Sequence, residues 1–215
     1  MQDVKPRLAW GITGSGHFLK ESLEIALALP HCDLFLTRAA EEILPMYGIS
    51  LASLKERTRV YRDNTASSVP VGLFYYGHYH TVVIAPATSN TVAKCALGLS
   101  DSLVSNIFAQ AGKTRVPTYV FACDTEPEMD TEAPKDWVKV YPRAIDLDYT
   151  RRVGEMEGVT VLHSIDALRL AIEARLRVAP RPTLGEVHRD LDALIGEGGG
   201  DIDRPADGAG ERSPG

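Results

Sequence analysis

Hydrophobic positions fall into two alternating patterns along this chain. Short, unbroken apolar runs alternate with longer segments in which apolar residues return every three or four positions, and small polar loops separate them. Leu8-Ala9-Trp10-Gly11-Ile12 predicts a first strand, broken by Thr13-Gly14-Ser15-Gly16-His17 before a helical pattern from Phe18 to Leu29. Asp33-Leu34-Phe35-Leu36 predicts a second strand, running through Thr37 into a helix from Ala39 to Met46. From Gly48 to Asn64 the chain is charged and helical in places, with Leu51 and Leu54 at helical spacing and no recognisable chemistry. Val82 to Ala85, β-branched and stopped by Pro86, predicts a strand buried on both faces of a parallel sheet. A helical pattern follows through Val92, Cys95, Leu97 and Leu99.

Val116 to Cys123 predicts a further core strand, and Asp124 to Pro134 an acidic, proline-bearing loop. Val138 to Tyr141 and Val159 to Leu162 are shorter strand candidates, and Ser164 caps an amphipathic helix that runs through Leu176. The expected fold is α/β, with helices packed on a central parallel sheet. Leu184 to Ile195 forms one more short helix in this reading. From Gly196 onward the glycine, proline, aspartate and arginine content is too poor in apolar groups to order a chain. The organisation expected is one domain over residues 1–195 and a disordered tail over 196–215.

Composition narrows the function. A net charge of −6 and a pI near 5.5 argue against nucleic acid as a partner, because a duplex binder needs a basic footprint. No apolar run reaches the ~20 residues that cross a bilayer, and the first residues lack a signal-peptide pattern, so a cytoplasmic location is expected and no membrane partner. Cys32, Cys95 and Cys123 are widely spaced and form no CxxC pair, which points to reduced core thiols rather than a disulfide or metal site. Asp124, Glu126, Glu128, Asp130 and Glu132 read as a solvated acidic loop, and no metal is assigned.

Candidate chemistry lies in the loops behind the strands. Thr13-Gly14-Ser15-Gly16 opening a helix outlines a phosphate cradle, since glycine lets a backbone approach closely and a helix start favours an anion. It lacks the full G-x-G-x-x-G spacing, and a plain tight turn is the alternative. Thr37 reaches the same phosphate or caps the next helix, two compatible roles. Arg38 adds charge to that phosphate or points into solvent. Ala87-Thr88-Ser89-Asn90-Thr91 gathers small and hydrogen-bonding groups at the end of the central strand, where ligands collect in open α/β sheets. The alternative is an ordinary turn capped by Ser89 or Asn90. His17 either faces a bound ring or sits exposed at a helix start. Tyr75, Tyr76 and His78, just before the central strand, either stack on a flat heterocycle or pack a core or subunit contact.

Pro86-Ala87-Thr88-Ser89-Asn90-Thr91 resembles the PASANT or PATANT motif of the homo-oligomeric flavin-containing cysteine decarboxylase superfamily. Gly98-Leu99-Ser100-Asp101-Ser102-Leu103 is similar to that superfamily's G-[IL]-[AS]-D-[DN]-L segment, and the Gly11 to Ser15 stretch to its G-[VI]-T-G-[SA] start. The resemblance covers Gly11 to about Leu162 and implies a Rossmann-like (flavodoxin-like) three-layer fold. It also implies an FMN site completed at a subunit contact, with Asp101, Ser105 and Asn106 joining the loop residues as cofactor contacts. Within the superfamily the pattern is most similar to archaeal-type flavoproteins and the dihydromethanopterin reductase group. Two departures separate it from the decarboxylases. Leu73 stands where they carry a catalytic histidine, with His78 and His80 offset, and Pro127-Glu128-Met129-Asp130 matches their P-x-M-N segment only in part.

The function this implies is an FMN-dependent oxidoreductase that transfers hydride from reduced flavin to dihydromethanopterin or a similar pterin, with a separate electron donor and a trimer-based homo-oligomer. His17, Tyr75, Tyr76 and His78 are its substrate-binding candidates. A flavin electron carrier without a small substrate is the alternative from another class. A decarboxylase or prenyltransferase-like member is the third.

Overall fold

The computed structural model describes residues 7–64 and 68–177. Eight strands and eight helices follow one another in them. β1 (Arg7–Ile12), α1 (Leu19–Ala28) and β2 (Cys32–Leu36) open the chain, followed by α2 (Arg38–Ile43), a 3₁₀ turn (Leu44–Tyr47), α3 (Leu51–Arg57) and β3 (Val60–Arg62). α4 (Ser68–Gly72), β4 (Tyr79–Ala87), α5 (Ser89–Leu97), α6 (Leu103–Thr114) and β5 (Thr118–Ala122) form the middle. β6 (Met129–Glu132), β7 (Trp137–Val140), α7 (Ala144–Gly154), β8 (Val159–Leu162) and α8 (Ile165–Arg177) complete it.

Six strands form one parallel sheet in the order β3-β2-β1-β4-β5-β8, while β6 and β7 pair antiparallel as a separate hairpin. Side chains alternate across each strand, so neighbouring residues enter different cores. Leu8, Trp10 and Ile12 join Leu34, Val83 and Phe121 on the face covered by α1, α3 and α8. Ala9, Phe35, Val82, Ile84 and Val120 face α5, α6 and Val153 of α7. This is the expected three-layer fold with its parallel central sheet.

The structure revises several boundaries. The central strand is not stopped by Pro86; it runs on to Ala87, with a cis Ala85–Pro86 bond and a register shift against β5 between Ile84 and Ala87. The segment between Gly48 and Asn64 contains β3, the edge strand of the sheet. The acidic loop contains β6, whose sequence MDTE has no apolar alternation to signal a strand. α7 fills a stretch that the apolar pattern left without an element. Gly98, at φ +71°, ends α5, so Leu99 lies outside the helix, exposed like Leu97. The helix expected at Leu184 to Ile195, the tail over 196–215 and the domain boundary between them lie outside the described residues.

The amino rim of the sheet is closed by a polar network. Asp33, fully buried, accepts from Arg7 Nε at 2.8 Å and from the Tyr79 hydroxyl at 2.8 Å. Burial pushes the Tyr79 hydroxyl well above its ordinary pKa, so it remains a donor. The opposite rim, where β1, β2, β3, β4 and β5 all end, is left open. The strand order reverses between β1 and β4, and the loops leaving these two strands diverge to opposite faces and leave a crevice.

Candidate functional site

The crevice at the carboxyl rim has two lobes that share Gly14 and Thr88. One encloses about 480 Å³ and is lined by Thr37, Arg38, Asp63, Asn90, Thr91, Lys94 and Asp101, among others. The other encloses about 330 Å³ between Ser15, Gly16 and His17 on one side and Asp124, Glu132, Tyr141 and Arg143 on the other. Both volumes suit small-molecule sites of roughly 300–1,000 Å³.

Thr13 holds the two switch-point loops together. Its buried hydroxyl donates to the Pro86 carbonyl at 2.7 Å and accepts from the Thr88 amide at 2.9 Å. Gly14 admits no side chain, because a Cβ there would lie 2.6 Å from that of Ala39. At Gly16 a Cβ would meet the Tyr47 hydroxyl at 1.7 Å. Both glycines therefore serve close approach rather than an unusual turn. Ser15 donates to the His17 carbonyl at 3.3 Å.

In the larger lobe Thr37 caps α2, accepting from the Ala40 amide at 3.1 Å. Arg38 Nε donates to the Asp63 carbonyl at 2.7 Å, which fixes the stem of an exposed guanidinium at the lobe's wall. The Asp63 carboxylate accepts from the Leu103 amide at 3.1 Å and so occupies the start of α6. Lys94 and Asp101 form an ion pair at 2.9 Å across the mouth, and the Lys94 hydrogen bond holds the Asp101 carboxyl below its ordinary pKa. Asp63 and Lys94 were missed in the sequence: Asp63 sits in the segment read as empty of chemistry, and only the fold brings it beside Arg38.

The motif at the end of β4 divides its roles among neighbours. Thr88, not Ser89 or Asn90, caps α5: its hydroxyl accepts from the Thr91 amide at 3.4 Å and donates to the Thr91 hydroxyl at 3.2 Å. Ser89 turns to the other lobe and donates to the Asp124 carboxylate. Asn90 is exposed in the larger lobe, and its side chain bonds to no described residue. Ala87 is buried under the loop. Ser105 belongs to a capping box with Ser102 at the start of α6 and is itself buried, while the half-buried Asn106 lines neither lobe.

His17 is buried rather than exposed at its helix start. Its Nδ1 accepts from the Glu132 amide at 3.1 Å, and its ring lies 3.7 Å from that of Phe18 and 5.6 Å, edge-on, from that of Trp137. Burial lowers its pKa, against the pull of Glu21, Glu132 and Asp124, so the neutral ring carries its hydrogen on Nε2. Glu132 also accepts at its carbonyl from the Tyr47 hydroxyl at 3.2 Å, and the β6–β7 hairpin is thereby fastened over the smaller lobe. Cys123 lines that lobe as a buried thiol pushed up to about 12 by desolvation.

Tyr75, Tyr76 and His78 line neither lobe. They precede β4 and therefore sit at the amino rim, where the Tyr75 hydroxyl accepts from Gln110 Nε2 at 2.6 Å and His78 packs edge-on against Tyr79 at 5.0 Å. Tyr75 is 63% exposed. These residues do not share a site with the glycine loop within one chain.

A doubly wound sheet with a glycine loop and polar helix starts meeting at its switch point defines a nucleotide-binding α/β protein. The chain belongs to the Flavoprotein family, whose profile matches residues 1–187. It is 54% identical to Burkholderia xenovorans DmrB, solved in complex with FMN and described as a cubic protein cage for redox transfer; the match covers 82% of this chain and 98% of that one, with a TM-score of 0.76. It is 41% identical over 141 residues to a dihydromethanopterin reductase (acceptor) of Methanosarcina mazei, a match covering 60% of this chain and 59% of that protein. An uncharacterised protein of Methanocaldococcus jannaschii is 32% identical over 80% of this chain and 97% of its own length. Among the described residues no helix is long and apolar enough to cross a membrane.

Proposed function

We propose that this chain is an FMN-dependent oxidoreductase that reduces dihydromethanopterin, or a similar pterin, to its tetrahydro form. The observation that carries the proposal is the two-lobed crevice, in which one lobe suits a phosphorylated cofactor and the adjoining lobe a small heterocycle. The names of the similar reductase and of the FMN-bound DmrB support the choice of substrate and cofactor.

The residues present fit FMN. Gly14, packed closely on Ala39, lines the lobe with backbone alone, Arg38 offers a guanidinium anchored through Nε, and Asn90 offers a donor and an acceptor that no described residue engages. Gly14, Ser15, Gly16, Thr37, Arg38, Thr88, Asn90 and Thr91 would hold it, with Asp101 and Lys94 at the mouth. Bound there, FMN supplies hydride chemistry that side chains lack. The protein's own part is positioning: the Thr13 bridge sets the spacing of the two loops, and the His17 bond to the Glu132 amide fixes the hairpin beside the smaller lobe. His17 Nε2–H offers a hydrogen bond to a substrate nitrogen.

The working form in this reading is a cytoplasmic, trimer-based homo-oligomer of a domain spanning 1–195, in which Asp101 to Asn106 and Tyr75 to Tyr79 lie at subunit contacts. A separate protein or small molecule donates electrons. The test is direct. Purified protein should show a flavin spectrum and release FMN on acid treatment, and the reduced protein should be reoxidised by dihydromethanopterin at a saturable rate. Reoxidation by a redox protein alone would replace the reductase with an electron carrier. Colourless protein that takes up no added FMN would overturn both.

A further inference from the structure

Asp124 lines the smaller lobe and is held there by two hydrogen bonds. It follows β5, half-buried, with one carboxylate oxygen accepting from Ser89 and its backbone carbonyl accepting from the Thr150 hydroxyl at 3.3 Å. No described residue donates to the other oxygen. The cation that lines the same lobe, Arg143, is taken by Asp146 through contacts of 2.9 Å and 2.7 Å. The second Asp124 oxygen therefore presents the lobe with an acceptor that N–H donors of a ligand can meet.

The geometry of a carboxylate narrows the ligand. Its two oxygens lie side by side in one plane, each with lone pairs to spare beyond the Ser89 bond, and their complement is a pair of parallel N–H donors. A 2-amino-4-oxopyrimidine ring presents such a pair, from N3–H and the 2-amino group. A 2,4-dioxopyrimidine ring, which the flavin itself carries, presents carbonyl oxygens on either side of N3–H and would be repelled. We infer that Asp124 is the specificity-determining residue of the smaller lobe, reading the amino-pyrimidine edge of the substrate heterocycle, with Ser89 as its positioning residue. The inference rests on the pterin reading above. It also explains why Ser89 turns away from its neighbours in the motif.

The test compares two fluorescent probes, 6-methylpterin and 6-methyllumazine, which differ in the 2-amino group against a carbonyl. Binding is measured by equilibrium dialysis on the flavin-loaded full chain. The parent protein should bind the pterin at least ~10-fold more tightly, the scale of a hydrogen bond to a charged group. Asp124→Asn should lower pterin affinity by ~10-fold or more and hold or raise lumazine affinity, because an amide offers one donor and one acceptor. Ser89→Ala should shift the ratio the same way by less, and it carries the test if Asp124→Asn fails to fold. Equal affinity for the two probes in the parent, binding of neither, or a ratio that these changes leave untouched overturns the assignment. Asp124-dependent pterin binding without pterin reduction would sink only the reductase reading. Pterin reduction that Asp124→Asn leaves unchanged would sink only the role of Asp124.

Discussion

Asn90 lies between two residues that the fold already uses. Because it bonds to no described residue, Asn90→Ala should leave the melting temperature unchanged while weakening flavin binding. A lost hydrogen bond of about 1 kcal/mol corresponds to roughly fivefold in affinity, read by fluorescence titration of the apoprotein with FMN. An unchanged affinity would remove Asn90 from the site. The motif located this loop in the sequence but could not assign its side chains. Consecutive residues entering a helix point roughly 100° apart, so Thr88, Ser89 and Asn90 face three different surroundings. His17 makes a second residue-scale case. Burial lowers its pKa from 6.5, so above pH 6.5 it is neutral folded and unfolded alike, and below that the unfolded chain takes up the proton first. Stability should therefore fall as pH drops through the window below 6.5. Half-buried His80, lowered by burial and by Arg175, contributes to the same window, so the comparison is between the parent and His17→Gln, whose urea-denaturation profile should be flatter between pH 6.5 and 5. Coincident profiles would show that burial does not hold the imidazole neutral.

At the scale of elements, α5 depends on its cap and the hairpin on its fastenings. Thr88→Ala removes the acceptor for the Thr91 amide and should cost about 1 kcal/mol in chemical denaturation, whereas Thr88→Ser should cost much less. A two-stranded hairpin is marginal on its own, and β6–β7 is held over the crevice through the Glu132 main chain by His17 and Tyr47. Tyr47→Phe deletes one of these bonds, and the amides of Trp137 to Val140 should exchange with solvent roughly fivefold faster as local opening eases by about 1 kcal/mol. Unaltered exchange would mean that His17 alone suffices. Elements with strong apolar runs, such as β1, β4 and β5, were legible in the sequence because burial on both faces demands such runs. The edge strand β3 and the hairpin strand β6 are three and four residues long and carry charges, so nothing in their periodicity marks them. Their pairing partners decide their conformation.

For the whole molecule, the order of strand, polar loop and helix was enough to foresee the layered sheet, and hence the rim at which ligands collect. Which loops face each other across that rim depends on strand order, which no local pattern encodes. Tyr75, Trp137 and Tyr141 remain more than 60% exposed, together with half-exposed Leu97 and Leu99, so a lone chain would present several apolar patches to water. Light scattering should accordingly find an oligomer that retains its flavin, and a stable monomer with full FMN affinity would contradict a site shared between subunits.

The separation of the tyrosines from the crevice by the length of β4 has a genetic consequence. The nine residues of β4, eight steps of about 3.3 Å, put roughly 26 Å between Tyr75 and Tyr76 before its start and Asn90 beyond its end, so one chain's tyrosines cannot cover its own crevice. If they cover a neighbour's, the two halves of each working centre come from different polypeptides. Two defective alleles, one altered at Asn90 and the other at both tyrosines, should then complement each other when co-expressed, because mixed assemblies rebuild some intact centres from the sound half of each chain. Alleles altered in the same half should not.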